Sequence, residues 1–148
     1  MNDLNEDVSM QEQGLNEALE AMYFGFKAMV AEPDETLQAL GLSRVHHRIL
    51  YFIARNPDGS VGDLLQLLQA SKQYIHKPLR KLIDQGYVLT TPDTKDKRIK
   101  RLSLSVKGEA LEAELSGSQR KHFKKVFEQV GKDAEQGWRK VMQVLSKS

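Results

Sequence analysis

The chain of 148 residues is 40% hydrophobic and 28% charged, a composition typical of one globular domain with its own core. The sequence contains no cysteine, which excludes disulfides, cysteine-ligated zinc and thiol redox sensing. It also has no apolar stretch approaching the ~20 residues of a membrane span and no basic, apolar leader at its acidic N-terminus, so we expect a cytoplasmic protein without membrane contact.

The net charge of +2 conceals two regions of opposite sign. Residues 1–40 contain nine acidic side chains and one basic side chain, whereas residues 71–101 contain nine basic and three acidic ones. A charged stretch is usually a solvated face, but a cluster of positive charge also provides the attraction that phosphate groups require. The elements that carry the basic residues therefore decide between the two interpretations.

An amphipathic helix is predicted from Met10 to Ala31, because its apolar residues recur at alternating spacings of four and three. Residues 1–9 are expected to form a frayed tail, and Pro33 with Asp34 is expected to end the helix. The apolar seam consists of Leu15, Leu19, Met22, Phe26 and Met29. A seam of this kind suits packing against another helix.

Three serines precede helical apolar patterns and are predicted N-caps. They are Ser43, Ser60 and Ser71, which begin helices over residues 44–55 and 61–69 and a third helix that ends at Gly86. Between the first two helices, residues 56–59 form a turn cluster. Pro78 lies inside the third helix and should bend it, either as a tolerated kink or to aim the preceding residues into a groove.

The residues after this third helix predict a hairpin. Residues 87–91 are rich in strand-forming side chains and residues 99–105 alternate between apolar and polar, while the charged residues 93–98 join them as a turn. A basic helix followed by a basic hairpin is the outline of a winged helix-turn-helix, in which the helix enters a major groove and the hairpin, or wing, reaches an adjacent minor groove. This arrangement favours duplex DNA as the partner.

The candidate DNA-binding residues lie at helix starts, on the polar face of the third helix and in the wing turn. They are Ser60, Ser71, Lys72, Gln73, Tyr74, His76, Lys77, Arg80, Lys81, Lys95, Lys97 and Arg98. Gln73 and Lys77 lie near the start of the helix and are predicted to read base edges. Arg80 and Lys81 lie further along, where the helix is expected to meet the DNA backbone.

Arg98 is the best candidate for the minor groove, because a weakly hydrated guanidinium suits the negative potential of a narrow A·T-rich segment. Asp96, two residues earlier, either orients Arg98 through a charge-assisted hydrogen bond or is a solvated turn aspartate. Ser60 and Ser71 are helix caps first, although serines at helix starts often contact phosphate as well.

The C-terminal part of the chain is predicted to be helical. Ser105 caps a long helix that Gly117 weakens at its middle, and a break at Gly131 precedes a last helix. The apolar stripes of the terminal helices either form an intramolecular core or pair two chains, and their length favours a homodimer. The candidate interface residues are Leu15, Leu19, Met22, Phe26, Trp138, Val141, Met142 and Leu145.

The order of elements and the wing motif resemble the MarR family of bacterial transcription regulators. Residues 93–98, Asp-Thr-Lys-Asp-Lys-Arg, match the family's Asp-x-Arg-Asp-x-Arg pattern, with Lys95 replacing the first arginine and so losing a bidentate fork. Residues 102–108, Leu-Ser-Leu-Ser-Val-Lys-Gly, match its Leu-x-Leu-Thr-x-Lys-Gly ending, and the helix over residues 71–82 is similar to the family's recognition helix.

The resemblance implies a mainly α protein with a small β-hairpin wing, that is, a winged helix-turn-helix with long terminal dimerisation helices. Residues 1–148 would form one MarR-like domain, with dimerisation helices at about 10–40 and 106–147 and a DNA-binding lobe at about 43–105. It further implies a homodimeric repressor on a pseudopalindromic operator, released by a small aromatic or phenolic effector bound between the dimer helices and the lobe.

Other functions have little support in the sequence. His46 and His47 point about 100° apart on a helix, a poor pair for one metal, so no metal site is expected and the two remain candidate effector-pocket residues. The sequence indicates no phosphate loop, nucleophile elbow or catalytic acid pair, and hence neither an enzyme nor a cofactor. The competing interpretation is a winged-helix protein-interaction module that has lost sequence-specific DNA binding.

Overall fold

The computed structural model of the protein describes residues 2–148. Within these residues, six helices and three short strands follow one another along the chain. They are α1 (Asn2–Ala39), α2 (Arg44–Arg55), β1 (Gly59–Ser60), α3 (Val61–Leu68), α4 (Lys72–Asp84), β2 (Val88–Pro92), β3 (Lys100–Leu104), α5 (Val106–Val130) and α6 (Lys132–Ser146). The predicted winged helix-turn-helix fold is confirmed. Within residues 2–148, no helix combines the length and apolar character needed to cross a bilayer.

Helix α1 differs from its predicted bounds at both ends. It begins at Asn2, where a frayed tail was expected, and it continues through Pro33 to Ala39; Met1 lies outside the described residues. An acidic residue in the first turn, Asp3, stabilises a helix start through the helix dipole. A proline inside a helix can bend it without ending it, and the turn after Pro33 carries the buried side chain of Leu37.

Contacts divide the chain into two units, residues 1–32 and residues 33–148. In the first unit, the described part is helical, and its large apolar side chains from Leu4 to Phe26 are exposed. The second unit contains a hydrophobic core built around α2, which contacts α3, α4, α5 and β3. The fully buried side chains of this core include Leu37, Ile49, Leu50, Ile75, Leu82, Leu102, Leu115 and Val88.

The sheet has three strands in the order β1-β3-β2, all antiparallel, rather than the two predicted. Strand β1 pairs Gly59 with Leu102, in a segment that the sequence indicated only as a turn. A two-residue strand is too short to have an alternating pattern, which explains why it was missed. The extra strand joins the base of the wing to the start of α3, since Ser60 also caps that helix.

The root of the wing is fixed by Ser105, Lys107 and Gly108, which lie in the segment that matches the family's Leu-x-Leu-Thr-x-Lys-Gly ending. The Oγ of Ser105 donates to the Gly86 carbonyl oxygen at 2.5 Å, and the Nζ of Lys107 donates to the Gln85 carbonyl oxygen at 2.9 Å. A Cβ atom at Gly108 would lie 2.1 Å from the backbone oxygen of Tyr87, so no larger residue fits there. These contacts hold the end of α4, the root of β2 and the start of α5 together.

Helix α5 runs without a break through Gly117, so the glycine does not divide it. Gly131, at a φ of 90°, separates α5 from α6 as predicted. Near this turn the rings of Phe123, Phe127 and Trp138 form a cluster with centroids 5.2–5.6 Å apart. The cluster packs α6 against the end of α5.

Candidate nucleic-acid interface

Helix α4 has an outward face that is polar and basic. Its start is capped by the Oγ of Ser71, which accepts a hydrogen bond from the backbone N–H of Tyr74 at 3.2 Å. Ile75, Leu79 and Leu82 are buried in the core. This packing leaves exposed the predicted DNA-binding side chains Lys72, Gln73, Tyr74, His76, Lys77 and Arg80.

The last predicted residue of α4 is engaged within the fold. Lys81 is half-buried, and its Nζ donates to the backbone oxygen of Gly41, in the turn between α1 and α2. Arg80, by contrast, is exposed and forms an ion pair with Asp84 one helical turn later, at 3.3 Å. The half-buried Pro78 lies within the continuous helix Lys72–Asp84, so it does not end the helix.

The start of α3 carries a reciprocal cap. The Oγ of Ser60 accepts from the backbone N–H of Asp63 at 3.0 Å, and the Oδ2 of Asp63 accepts from the backbone N–H of Ser60 at 3.0 Å. That backbone hydrogen bond lowers the pKa of Asp63 below its ordinary value, because it favours the carboxylate form. Ser60 therefore has the structural role predicted for it, and phosphate contact remains a prediction.

The wing turn is organised by two aspartates. The Oδ2 of Asp93 accepts from the backbone N–H groups of Lys95 at 3.2 Å and Asp96 at 3.0 Å. The carboxylate of Asp96 in turn accepts from the Arg98 guanidinium at 3.1 and 3.2 Å. The side-chain hydrogen bond from Arg98 lowers the pKa of Asp96. Asp96 thus contacts Arg98 as the orienting hypothesis requires, and Lys95 and Lys97 are exposed beside it.

A cleft of about 550 Å³ lies between α3, α4 and β3. Its floor is apolar and its rim carries the cations Lys72, Arg80, Arg98 and Lys100. The structure thus brings together basic residues from the recognition helix and from the wing, two elements that are separated in the sequence. A concave surface with several converging cations is suited to a polyanion.

Two basic residues at or beside the cleft, Lys100 and Arg101, were not among the predicted site residues. Lys100 follows the wing turn and lines the cleft, and Arg101 lies next to it in β3. The Nε and Nη2 of Arg101 each lie 3.1 Å from the Oδ1 of Asp93, and its Nη1 lies 3.9 Å from the Oδ2 of Asp63. The sequence contains no local signal for the Asp63 contact, because the two residues are far apart along the chain.

The two adjacent histidines make different contacts, both within the fold. The Nδ1 of the buried His46 accepts from the backbone N–H of Ser43 at 2.9 Å, and burial is the main cause of its lowered pKa. The Nε2 of His47 lies 3.0 Å from the Oγ of Ser116 in α5, and burial also lowers the pKa of His47. Among the described residues, no cluster of three His, Asp or Glu side chains could hold a metal ion. The role of His46 and His47 as effector-pocket residues stays a prediction.

The candidate dimer residues of both units are largely exposed. In residues 2–32, Leu15 is 61% exposed and Leu19 70% exposed, and Met22 and Phe26 are exposed too. In α6, Val141 and Leu145 are exposed and Met142 is half-buried. Trp138 is 40% exposed, and it also packs on Phe123 and Phe127 within the chain.

Comparison with known proteins identifies relatives of this fold and sequence. The model of the MarR family matches residues 40–99, from the turn before α2 to the end of the wing turn. The HTH-type transcriptional regulator PetP of Rhodobacter capsulatus is 35% identical over 136 residues, which cover 92% of this chain and 82% of PetP.

Solved structures have the same architecture. The crystal structure of MarR family transcription regulator SP03579 has a TM-score of 0.79 at 19% identity, covering 94% of this chain and 92% of that chain. Streptococcus pneumoniae FabT, crystallised in complex with DNA, also has a TM-score of 0.79, at 17% identity, covering 92% of this chain and 95% of its own. At these identities the likeness concerns the fold.

Proposed function

Because the chain belongs to the MarR family of transcription regulators, we propose that it is a homodimeric repressor that binds a pseudopalindromic operator. The observation that carries the proposal is the cleft whose rim combines Lys72 and Arg80 of α4 with Arg98 and Lys100 of the wing. In a winged helix-turn-helix complex, the recognition helix lies in the major groove and the wing reaches the adjacent minor groove. Cations from both elements would then line the same stretch of the DNA phosphate backbone.

Base reading is assigned to the exposed first half of α4. Gln73 can pair with adenine through N6 and N7, and Lys77 can donate to guanine O6 and N7. Tyr74 and His76 are exposed beside them, and phosphate contacts are assigned to the exposed Lys72 and to Arg80, whose ion pair with Asp84 is itself exposed. Lys72 and Arg80 are assigned more of the phosphate contact than Lys81, because the Nζ of Lys81 donates to the backbone oxygen of Gly41.

Minor-groove contact is assigned to Arg98. Its side chain is 91% exposed, and the Asp96 carboxylate holds the guanidinium by two hydrogen bonds. A pre-oriented arginine loses less conformational freedom when it enters a narrow groove. Lys95 and Lys97 flank it and add charge without a defined geometry. The wing of this protein would therefore favour A·T-rich flanks.

Dimerisation is assigned to residues of about 10–40 and 106–147, with a DNA-binding lobe at about 43–105, all within one domain over residues 1–148. The support is the row of exposed apolar side chains in the first unit, of which Leu19 is 70% exposed. A monomer rarely leaves so long an apolar stripe in water. A dimer also provides the two lobes that a two-fold operator needs.

Release by a small aromatic or phenolic effector is part of the proposal. His46 and His47, at the start of α2, are its candidate contacts, since their side chains link α2 to the turn before it and to α5. A ligand that displaced either contact would act on the helix that forms the centre of the core. The proposal includes a cytoplasmic location and no enzymatic activity.

The test is selection of bound sites from a pool of random duplexes. The proposal predicts an enriched sequence with two inverted half-sites whose centres lie one helical turn apart, about 10 bp. The double variant Gln73→Ala with Arg98→Ala is the comparison protein, and it should enrich a site with relaxed preference at the positions read by Gln73 and at the A·T-rich flanks. Equal recovery of all sequences by the parent protein would instead favour the alternative, a winged-helix protein-interaction module without sequence-specific DNA binding.

A further inference from the structure

Arg101 lies in the central strand of the wing sheet, opposite Ser60 in β1 and Thr91 in β2. Its side chain is 34% exposed, and both ends of its guanidinium face carboxylates. The Nε and Nη2 atoms lie 3.1 Å from the Oδ1 of Asp93. The Nη1 atom lies 3.9 Å from the Oδ2 of Asp63 and 3.5 Å from the backbone oxygen of Asp58. Arg101 is thus occupied by the protein's own acceptors.

Each of the two aspartates also holds a backbone segment. Asp93 uses its Oδ2 to accept from the N–H groups of Lys95 and Asp96 in the wing turn. Asp63 uses its Oδ2 to accept from the N–H of Ser60 at the start of α3. Arg101 therefore lies between the turn that carries Arg98, to which it is hydrogen-bonded through Asp93, and the first turn of α3, where Asp63 is a longer ion-pair partner at 3.9 Å.

Arg98 and Arg101 differ in how far their side chains are exposed and in where their carboxylate partners lie. Arg98 is 91% exposed and pairs with a carboxylate in its own turn, whereas Arg101 is two-thirds buried. A guanidinium that already faces two carboxylates has little capacity left for a phosphate. Its planar fork suits two acceptors on different sides, a geometry that a lysine ammonium does not reproduce.

We propose that Arg101 is a positioning residue for DNA binding, which holds the wing turn and Arg98 in register with α3 without touching DNA itself. The proposal rests on the DNA-binding function proposed above. It assigns to the Asp63–Arg101–Asp93 contacts the role of a strut between the base of the wing and its tip. Loss of the strut should reduce the contribution of Arg98 to DNA affinity even though the Arg98 side chain itself is unchanged.

The first test is a double-mutant cycle on operator binding. In the parent, Arg98→Gln should weaken binding several-fold, whereas in an Arg101→Gln background the same change should weaken it by less than about twofold. Lys72→Gln is the control, since Lys72 lines the cleft from α4 rather than from the wing. The fold-loss of operator affinity caused by Arg98→Gln should be the same in the Lys72→Gln background as in the parent. If Arg98→Gln also caused its full parental fold-loss of affinity in the Arg101→Gln background, the proposal would be overturned.

Two further variants separate positioning from general destabilisation. Asp93→Asn keeps one oxygen for the turn but turns an amide toward Arg101, and it should reproduce the Arg101→Gln cycle. Arg101→Lys keeps the charge and should recover only part of the Arg98 contribution. An Asp93→Asn protein in which Arg98→Gln still has its full parental effect would contradict the strut.

Hydrogen exchange of the DNA-free protein supplies a readout independent of the proposed function. Arg101→Gln should speed amide exchange at Lys95 and Asp96, the two N–H groups held by Asp93, while leaving Ile49 in the core unchanged. If the parent binds no duplex, the DNA-binding function fails, but faster exchange at these two amides still supports the strut. Unchanged exchange at both amides would overturn it.

Discussion

Asp96 and Arg98 are joined by a forked hydrogen bond within the wing turn, with Nε to Oδ1 at 3.1 Å and Nη2 to Oδ2 at 3.2 Å. The Oδ1 of Asp96 also accepts from the backbone N–H of Arg98 at 3.1 Å. Three donors of one residue thus converge on one carboxylate, and the guanidinium is directed while its side chain remains 91% exposed. This is the geometry expected of an arginine that is presented to a partner rather than used to stabilise the fold.

Arg98→Ala should therefore weaken duplex binding and leave the thermal midpoint nearly unchanged, because an ion pair as exposed as Asp96–Arg98 adds little to stability. The slope of log affinity against log salt should fall by about one unit if one phosphate-type contact is lost. Lys140→Ala, which removes an exposed cation from α6, is the control and should bind like the parent. Parental binding by Arg98→Ala would exclude the minor-groove assignment.

Gln73→Ala should relax preference at one or two operator positions, with about 1–3 kcal/mol of lost discrimination, because Gln73 is exposed near the start of α4. Lys72→Ala, one residue earlier, should weaken all sequences about equally, because an ammonium on phosphate carries no sequence information. Competition binding against single-base operator variants measures both. A uniform loss for Gln73→Ala would refute base reading by this residue.

Leu19→Glu should convert a dimer into a monomer, because it introduces a charge into the apolar row of α1 where Leu19 is 70% exposed. Sedimentation of the parent at micromolar concentration should give twice the 16.8 kDa chain mass. Leu89→Glu, at an exposed leucine of β2, is the control and should remain dimeric. A monomeric parent would contradict both the dimer and the two-half-site operator.

The free energy of unfolding should fall as the pH drops below 6.5, the ordinary pKa of the two histidines. Burial lowers the pKa of both His46 and His47 in the folded state, so the unfolded chain binds protons first and acid favours unfolding. The aspartates with lowered pKa values, such as Asp34 hydrogen-bonded to Arg44, stabilise the fold above their ordinary pKa of 3.8 and lose that contribution as the pH falls below it, which is a separate and more acidic window.

His46→Gln is the variant that tests this pH dependence. A glutamine oxygen can accept from the Ser43 N–H as the Nδ1 of His46 does, which keeps the cap but removes the titrating group. Urea unfolding at about pH 7.5 and 5.5 should show a smaller loss for His46→Gln than for the parent. If the free energy of unfolding fell equally in both proteins, a group other than His46 would cause the pH dependence.

The elements that could be predicted are those whose signals are local. Ser43, Ser60 and Ser71 precede periodic apolar residues, and the helices begin directly after all three. The wing followed from strand-forming residues on either side of a charged turn, and both the fold and the family were confirmed. Such patterns specify where an element begins and which face is buried.

The features that were missed depend on partners distant in sequence. Helix α1 continues past Pro33 because Leu37 is buried in the core, and β1 exists because Gly59 meets Leu102. The bond from the Nζ of Lys81 to the backbone oxygen of Gly41 and the contacts of Arg101 with two aspartates in different elements also had no local signal, and the predicted contact of Lys81 with the DNA backbone stays a prediction. Only tertiary packing brings these pairs together.

The salt dependence of affinity for a selected duplex tests whether α4 and the wing bind duplex DNA. If each dimer contacts 6–10 phosphates, affinity should fall by about 10³–10⁵ between roughly 50 and 200 mM salt. Such a steep loss would support the DNA-binding account. Binding that is absent at low salt, or that barely changes across this range, would contradict it and favour a protein-interaction module.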